Sequence, residues 1–315
     1  MLAIAVASPA LAQGAGDWPR HAVRIVVPYA VGGPSDVLVR LVSPKLSERL
    51  GQPVVIDNRV GASGNIGTDL VAKSPADGYT LVIGTNTTAA NATLFRTMPF
   101  DIVRDFAPIT ALFRDANMLV VAPTLSARNV RELVALAKAQ PGTLSYASSG
   151  NGTSTHLAGV LLTQATGADI THVPYKGIAA GVTDVLAGRA TMMFASIAVV
   201  TPLVKEGRLR AIAVTRDSRV PAFPDVPTMT EAGFPGFEAT NGWGGFWAPA
   251  GTPKPVVDRL YREIAAVLAS AEVREAFASR NVEPGGDTPE AFARAVASDI
   301  QKLAVIVRAS GATLD

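Results

Sequence analysis

Two short stretches hold the residue types that could do chemistry. The first is Pro28-Tyr29-Ala30-Val31-Gly32-Gly33-Pro34-Ser35-Asp36; the second is Ser148-Ser149-Gly150-Asn151-Gly152-Thr153-Ser154-Thr155-His156. Neither contains Arg or Lys. Each follows a short apolar run and opens a helical pattern, so backbone N–H groups at a helix start point at one spot. The helix dipole adds partial positive charge there, which suits an anion such as a carboxylate. Five hydroxyls and no acid lie in the second stretch, making it the richer in donors. The plain alternative is that any strand-to-helix loop needs glycines and a cap, and Ser35 or Asp36 is the expected cap of the first helix. Asp36 also has the chemistry to ligate a cation or a ligand amine.

Catalytic readings are weaker. The histidines, His21, His156 and His172, have no metal-motif spacing. Ser149 or Ser154 with His156 would be the nucleophile and base of a hydrolase, yet there is no G-x-S-x-G elbow. No Walker A lysine motif occurs, and Gly61-Ala62-Ser63-Gly64-Asn65-Ile66-Gly67 has G-x-x-G-x-x-G spacing, not the dinucleotide fingerprint. No cofactor and no metal are expected, and the chain is expected not to be an enzyme.

The elements that must position these loops read as α/β. Arg24–Val27, Pro53–Asp57 and Tyr79–Ile83 are strand-like and are separated by helical patterns, the first with Leu38, Val42, Leu46 and Leu50 on one face. Pro44 falls inside that helix and should remove its bond to the Arg40 carbonyl, and a kink is expected there. Asn129-Val130-Arg131-Glu132 is a capping box. The strand, loop and helix pattern recurs over 144–167 and continues to Arg210–Thr215, a second α/β set. Trp243–Pro249 reads as extended, and Thr252-Pro253 and Thr288-Pro289 open the last helices. Thr85-Asn86-Thr87 ends the third strand as a loop.

Composition bounds the rest. The chain has 315 residues, 48% hydrophobic and 17% charged, which gives room for two cores and excludes a disordered chain. A net charge of +2 with 6% aromatics argues against a nucleic-acid partner. The absence of cysteine removes thiol catalysis, disulfides and thiolate metal sites. Residues 1–12 end in Ala10-Leu11-Ala12, the small-x-small form of a signal-peptidase site cleaved after Ala12, without the positive n-region of a full leader. No later apolar run reaches the roughly 20 residues of a membrane span.

Five motifs then occur in order: Pro28-Tyr29-x-x-Gly32-Gly33-x-x-Asp36, Asn58-Arg59-x-Gly61-Ala62, Asp77-Gly78-Tyr79-Thr80-Leu81, Val173-Pro174-Tyr175-Lys176-Gly177 and Pro249-Ala250-Gly251-Thr252-Pro253. From Trp18 onward the chain resembles the Bug family, periplasmic substrate-binding proteins of tripartite tricarboxylate transporters. The resemblance implies a two-domain periplasmic-binding-protein fold of type II with a ligand cleft between α/β domains. It implies a monomer in the periplasm that delivers a small organic carboxylate to the membrane subunits of a transporter, often with waters bridging ligand and protein. Carried over by position, the binding residues are Tyr29, Ala30, Gly32, Gly33, Pro34, Ser35 and Asp36, with Ser148, Ser149, Gly150, Asn151, Gly152, Thr153, Ser154 and His156. Thr85, Asn86, Thr87, Ala195 and Ser196 would form the cleft rims. The expected domains are 17–118 plus 242–315, and 119–241. Val31 stands where a proline is common, and Ser63 where a glycine is.

Overall fold

The structure is a computed structural model that describes residues 18–314; the expected leader over 1–12 lies outside them. The strands are β1 (Val23–Val27), β2 (Val54–Asn58), β3 (Thr80–Thr85), β4 (Phe106–Asp115), β5 (Asn117–Val121), β6 (Ser145–Ser148), β7 (Thr171–Pro174), β8 (Met192–Ser196), β9 (Arg210–Val214), β10 (Gly242–Pro249) and β11 (Glu283–Pro284). The helices are α1 (Pro34–Leu50), α2 (Asn65–Ala72), α3 (Asn86–Leu94), α4 (Val130–Ala139), α5 (Ser154–Thr166), α6 (Ile178–Leu186), α7 (Ile197–Lys205), α8 (Lys254–Ala269), α9 (Ala271–Ala278) and α10 (Pro289–Ser310).

The strands form two sheets, β11-β4-β10-β3-β1-β2 and β7-β6-β8-β5-β9. Alternation along the strands explains why each sheet carries helices on both faces. Val23, Ile25 and Val27 of β1 join Leu38, Val42, Leu46 and Leu50 of α1 with α8 and α9, while Val26 turns to α2, α3 and α10. Met192 and Phe194 of β8 pack on α4 and α5, and Met193 and Ala195 pack on α6 and α7.

Both sheets are mixed, where the strand and helix alternation predicts parallel ones. β10 runs antiparallel to β3 and β4, and β5 runs antiparallel to β8 and β9. The chain passes between sheets at Asp115–Asn117, from β4 into β5, and again between β9 and β10. β10 is a strand of the first sheet contributed from far along the sequence, which no local pattern announces.

α1 is unbroken through Pro44. The Arg40 carbonyl, which loses its helical donor to the proline, lies 3.3 Å from the Ser43 hydroxyl, which donates to it. Gly33 is the N-cap of this helix and Pro34 its first residue, so Ser35 and Asp36, the expected caps, are instead its second and third residues. Asn129 caps α4 as expected, accepting from the Glu132 N–H while Glu132 accepts from the Arg128 N–H.

Candidate functional site

The parallel pairing of β1 with β3 places the loops after Val27 and after Thr85 on one edge of the first sheet. Pairing of β6 with β8 does the same for the loops after Ser148 and Ser196 in the second. These edges face each other. Gly244 of β10 pairs with Thr85 and Gly242 pairs with Asp115, and Asp115 accepts a 2.5 Å hydrogen bond from the Ser196 hydroxyl across the sheets. On the same side Gly152 lies so near α3 that a Cβ there would be 2.3 Å from Leu94 Cδ2.

The first loop is held by a network that sequence reasoning found only in part. Asp36 is buried and accepts from the Gly32 N–H (2.9 Å), from Arg40 Nε (3.0 and 3.1 Å) and from Asn58 Nδ2 (2.9 Å). Asn58 Nδ2 also donates to the Tyr29 carbonyl, and Arg40 Nη2 donates to Asn58 Oδ1. Burial alone would raise the Asp36 carboxyl; the hydrogen bonds from Arg40, Gly32 and Asn58 and the Arg40 charge outweigh it and hold it below its ordinary value. Asp36 therefore pins the loop, and its charge is met by Arg40. The i, i+4 spacing of Asp36 and Arg40 is the sequence signal that would have found the pair. Gly32 adopts φ 78°, a left-handed conformation open to glycine, and the Gly33 N–H closes a turn on the Ala30 carbonyl. Ser35 and Asp36, at the second and third positions of α1, keep N–H groups that have no partner within the helix.

Thr85, Asn86 and Thr87 do not form a loop. Thr85 caps α3 through a reciprocal bond with Thr88, and Asn86 is the first helical residue. The Tyr29 hydroxyl lies 2.6 Å from Thr85 Oγ1 and 3.2 Å from Thr88 Oγ1, joining the first loop to this helix start. Burial raises the Tyr29 pKa, only partly offset by the Thr85 and Thr88 hydroxyls, so Tyr29 stays a neutral hydroxyl. Asn86 is buried, and its Nδ2 has no hydrogen-bond partner.

In the second loop most hydroxyls are turned inward. Thr155 Oγ1 accepts from the Ser149 N–H (2.8 Å) and contacts Ser149 Oγ (3.0 Å) and Thr153 Oγ1 (2.9 Å). Thr153 caps α5 and donates to the Gly150 carbonyl. Ser148 is buried and pairs with His172 Nε2 at 2.7 Å, and the Gly152 N–H donates to His156 Nδ1 at 3.1 Å. The expected wealth of side-chain donors is thus spent largely on shaping the loop; Asn151 is exposed, and Ser154 leads the helix. Ser149 meets Thr155, not His156, and His156 Nδ1 is taken by a backbone N–H, so the serine–histidine hydrolase geometry is not formed. Among the described residues no hydrogen bond joins Tyr29–Asp36 to Ser148–His156. No group of histidines and acids there could hold a metal ion.

Ala195 is buried at the end of β8, and Ser196 starts α7 with its hydroxyl on Asp115. Asp115 was not found from sequence, because its partner lies 81 residues away. Burial pushes its carboxyl up to about 6, against hydrogen bonds from Ser196 and the Ala116 N–H and the charge of Arg216.

Two α/β sheets whose loop-bearing edges face each other make a two-lobed binding fold, and comparison with known proteins decides which one. The model of the tripartite tricarboxylate transporter family receptor, TctC, matches residues 38–312. The chain belongs to the TctC family. TctC-family and Bug proteins share this architecture closely. The structure of Rpa4515 of R. palustris with adipate is 40% identical, with a TM-score of 0.87 over 95% of this chain and 100% of that one. The periplasmic binding protein BugD is 32% identical, with a TM-score of 0.84 over 94% of this chain and 99% of that one. MatC of Rhodopseudomonas palustris with bound malate is 29% identical, with a TM-score of 0.83 over 92% of this chain and 100% of that one. TctC proteins are solute-binding receptors, not enzymes.

One departure from the family pattern has a cost. Ser63 stands at φ 53°, ψ 32°, the left-handed region, in the turn before α2. Ser63→Gly should raise stability by up to about 1 kcal/mol, read as a higher denaturant midpoint at unchanged slope.

Proposed function

We propose that this chain is a periplasmic receptor that binds a small organic carboxylate between the two sheets and hands it to the membrane subunits of a tripartite transporter. In this reading one lobe is 17–118 plus 242–315 and the other is 119–241, and export depends on cleavage after Ala12. Two relatives with this architecture are structures with adipate and with malate, both dicarboxylates. The helix starts of α1 and α3 in one lobe and α5 in the other supply neutral donors, which fit a carboxylate better than a cation. A few charge-assisted hydrogen bonds of about 1.5–3 kcal/mol each are enough for micromolar affinity, about −8 kcal/mol.

The observation that carries the reading is Asn86 Nδ2, a buried amide donor without a partner at the start of α3, next in the chain to Thr85, which bonds Tyr29. A buried donor left unpaired costs stability, and a ligand acceptor would recover that cost. Asn86→Leu should therefore leave the melting temperature unchanged or raise it, while weakening adipate binding about tenfold. Calorimetric titration beside thermal melts checks this. Unchanged affinity would remove the α3 start from the site.

A further inference from the structure

We propose that His156 and His172 are positioning residues that hold the serine–glycine loop in shape through their neutral rings. The inference rests on the receptor reading above for what the loop does, and on geometry for how it is held.

The two rings stack with centroids 4.2 Å apart, and both stack on Tyr146, at 6.5 and 4.8 Å. Each reaches a different part of one loop: His172 Nε2 meets the Ser148 hydroxyl at its start, and His156 Nδ1 meets the Gly152 N–H at its middle. A backbone N–H only donates, so His156 Nδ1 must carry a lone pair and the proton sits on Nε2. Protonating Nδ1 would set two donors against each other and expel the Gly152 N–H.

Gly152 has little room to relax. It has φ 75°, and its α-carbon packs beside Leu94 of α3. Release of its N–H therefore moves the loop and not merely a ring. The histidines line an open groove of about 570 Å³ that is also lined by residues 309–313, which carry no charge. Tyr146 from β6 and Asp169 from the approach to β7 are the other titratable groups lining it. Burial lowers both imidazoles, and the neighbouring His172 lowers His156 further, consistent with neutral rings.

A single preparation supports two independent readouts. In an NMR titration of the whole chain from pH 7.5 to 3.5, His156 should be the Nε2–H tautomer at neutral pH. The Gly152 amide should then shift with the same midpoint as the His156 ring. A Gly152 amide that stays silent through that titration, or a His156 ring protonated at Nδ1 near neutrality, overturns the proposal. This arm needs no ligand, so it stands even if wild type binds no carboxylate and the receptor reading fails. In the second arm, adipate titrations at pH 7 compare isosteric and apolar replacements. His156→Asn, which keeps an acceptor near the Nδ1 position, should bind within about threefold of wild type, and His156→Leu about tenfold more weakly. His172→Gln should likewise bind more tightly than His172→Leu. Equal affinities within each pair overturn the proposal.

Discussion

On acidification from pH 7 to pH 4, Asp115→Asn should lose about 3 kcal/mol more stability than wild type, and His156→Asn about as much less. The signs follow from the two folded-state pKa values. Asp115 is raised from 3.8 to about 6, so the folded protein holds its proton more tightly than the unfolded chain does. Its contribution is full below pH 4 and is lost as pH rises through 6. His156 is lowered from 6.5 to about 4, so the unfolded chain binds more protons between these values. Its contribution is present above pH 6.5 and is lost as pH falls through 4. Each substitution removes one of these opposing contributions, while the other titrating groups, His172 and Asp36 among them, act alike in all three proteins. Denaturant unfolding at half-unit pH steps reads the effect. Parallel pH profiles for the two variants would mean that neither group is desolvated as the structure has it.

The second large effect concerns closure. Ser35 and Asp36 offer N–H groups from the first sheet's edge, and the Ser148–His156 loop lies on the second's. A carboxylate touching both favours a closed arrangement only by the contacts it gains there. If these amount to about 3 kcal/mol, the closed population rises by roughly two orders of magnitude on binding, the signal a membrane partner would read. The radius of gyration should fall in saturating adipate. Ser149 and Thr153 both converge on Thr155 Oγ1, so replacing both by alanine should abolish the compaction. Superimposable scattering curves with and without a tightly bound ligand would contradict a hinge mechanism.

What sequence reasoning reached was local. The two glycine-bearing loops, the apolar face of α1 and the Asn129 cap all follow from neighbours within a turn or a strand. The misses share a cause, which is pairing over distance. Phe106–Asp115 is the first sheet's long strand, but Pro108 within it and its pairing with the remote Gly242–Pro249 hid it. Asn86–Leu94 was hidden by its polar start, although Thr85 and Thr88 carry a capping signature. The site divides the same way. The loops that open α1 and α5 were legible, whereas Asn58 and Arg40 on Asp36, Asp115 on Ser196, and His172 on Ser148 are contacts that only the folded chain makes. For that reason the hydroxyls of the second loop read as ligand donors when most of them bond the loop itself.

Carboxylate recognition is most directly tested by titration calorimetry with adipate and malate beside their dimethyl esters, which keep the carbon skeleton and remove the charge. At least one acid should bind with micromolar affinity, and its ester at least about a hundredfold more weakly, the worth of two charge-assisted hydrogen bonds. Equal affinity for acid and ester, or no binding of either acid, would contradict carboxylate recognition.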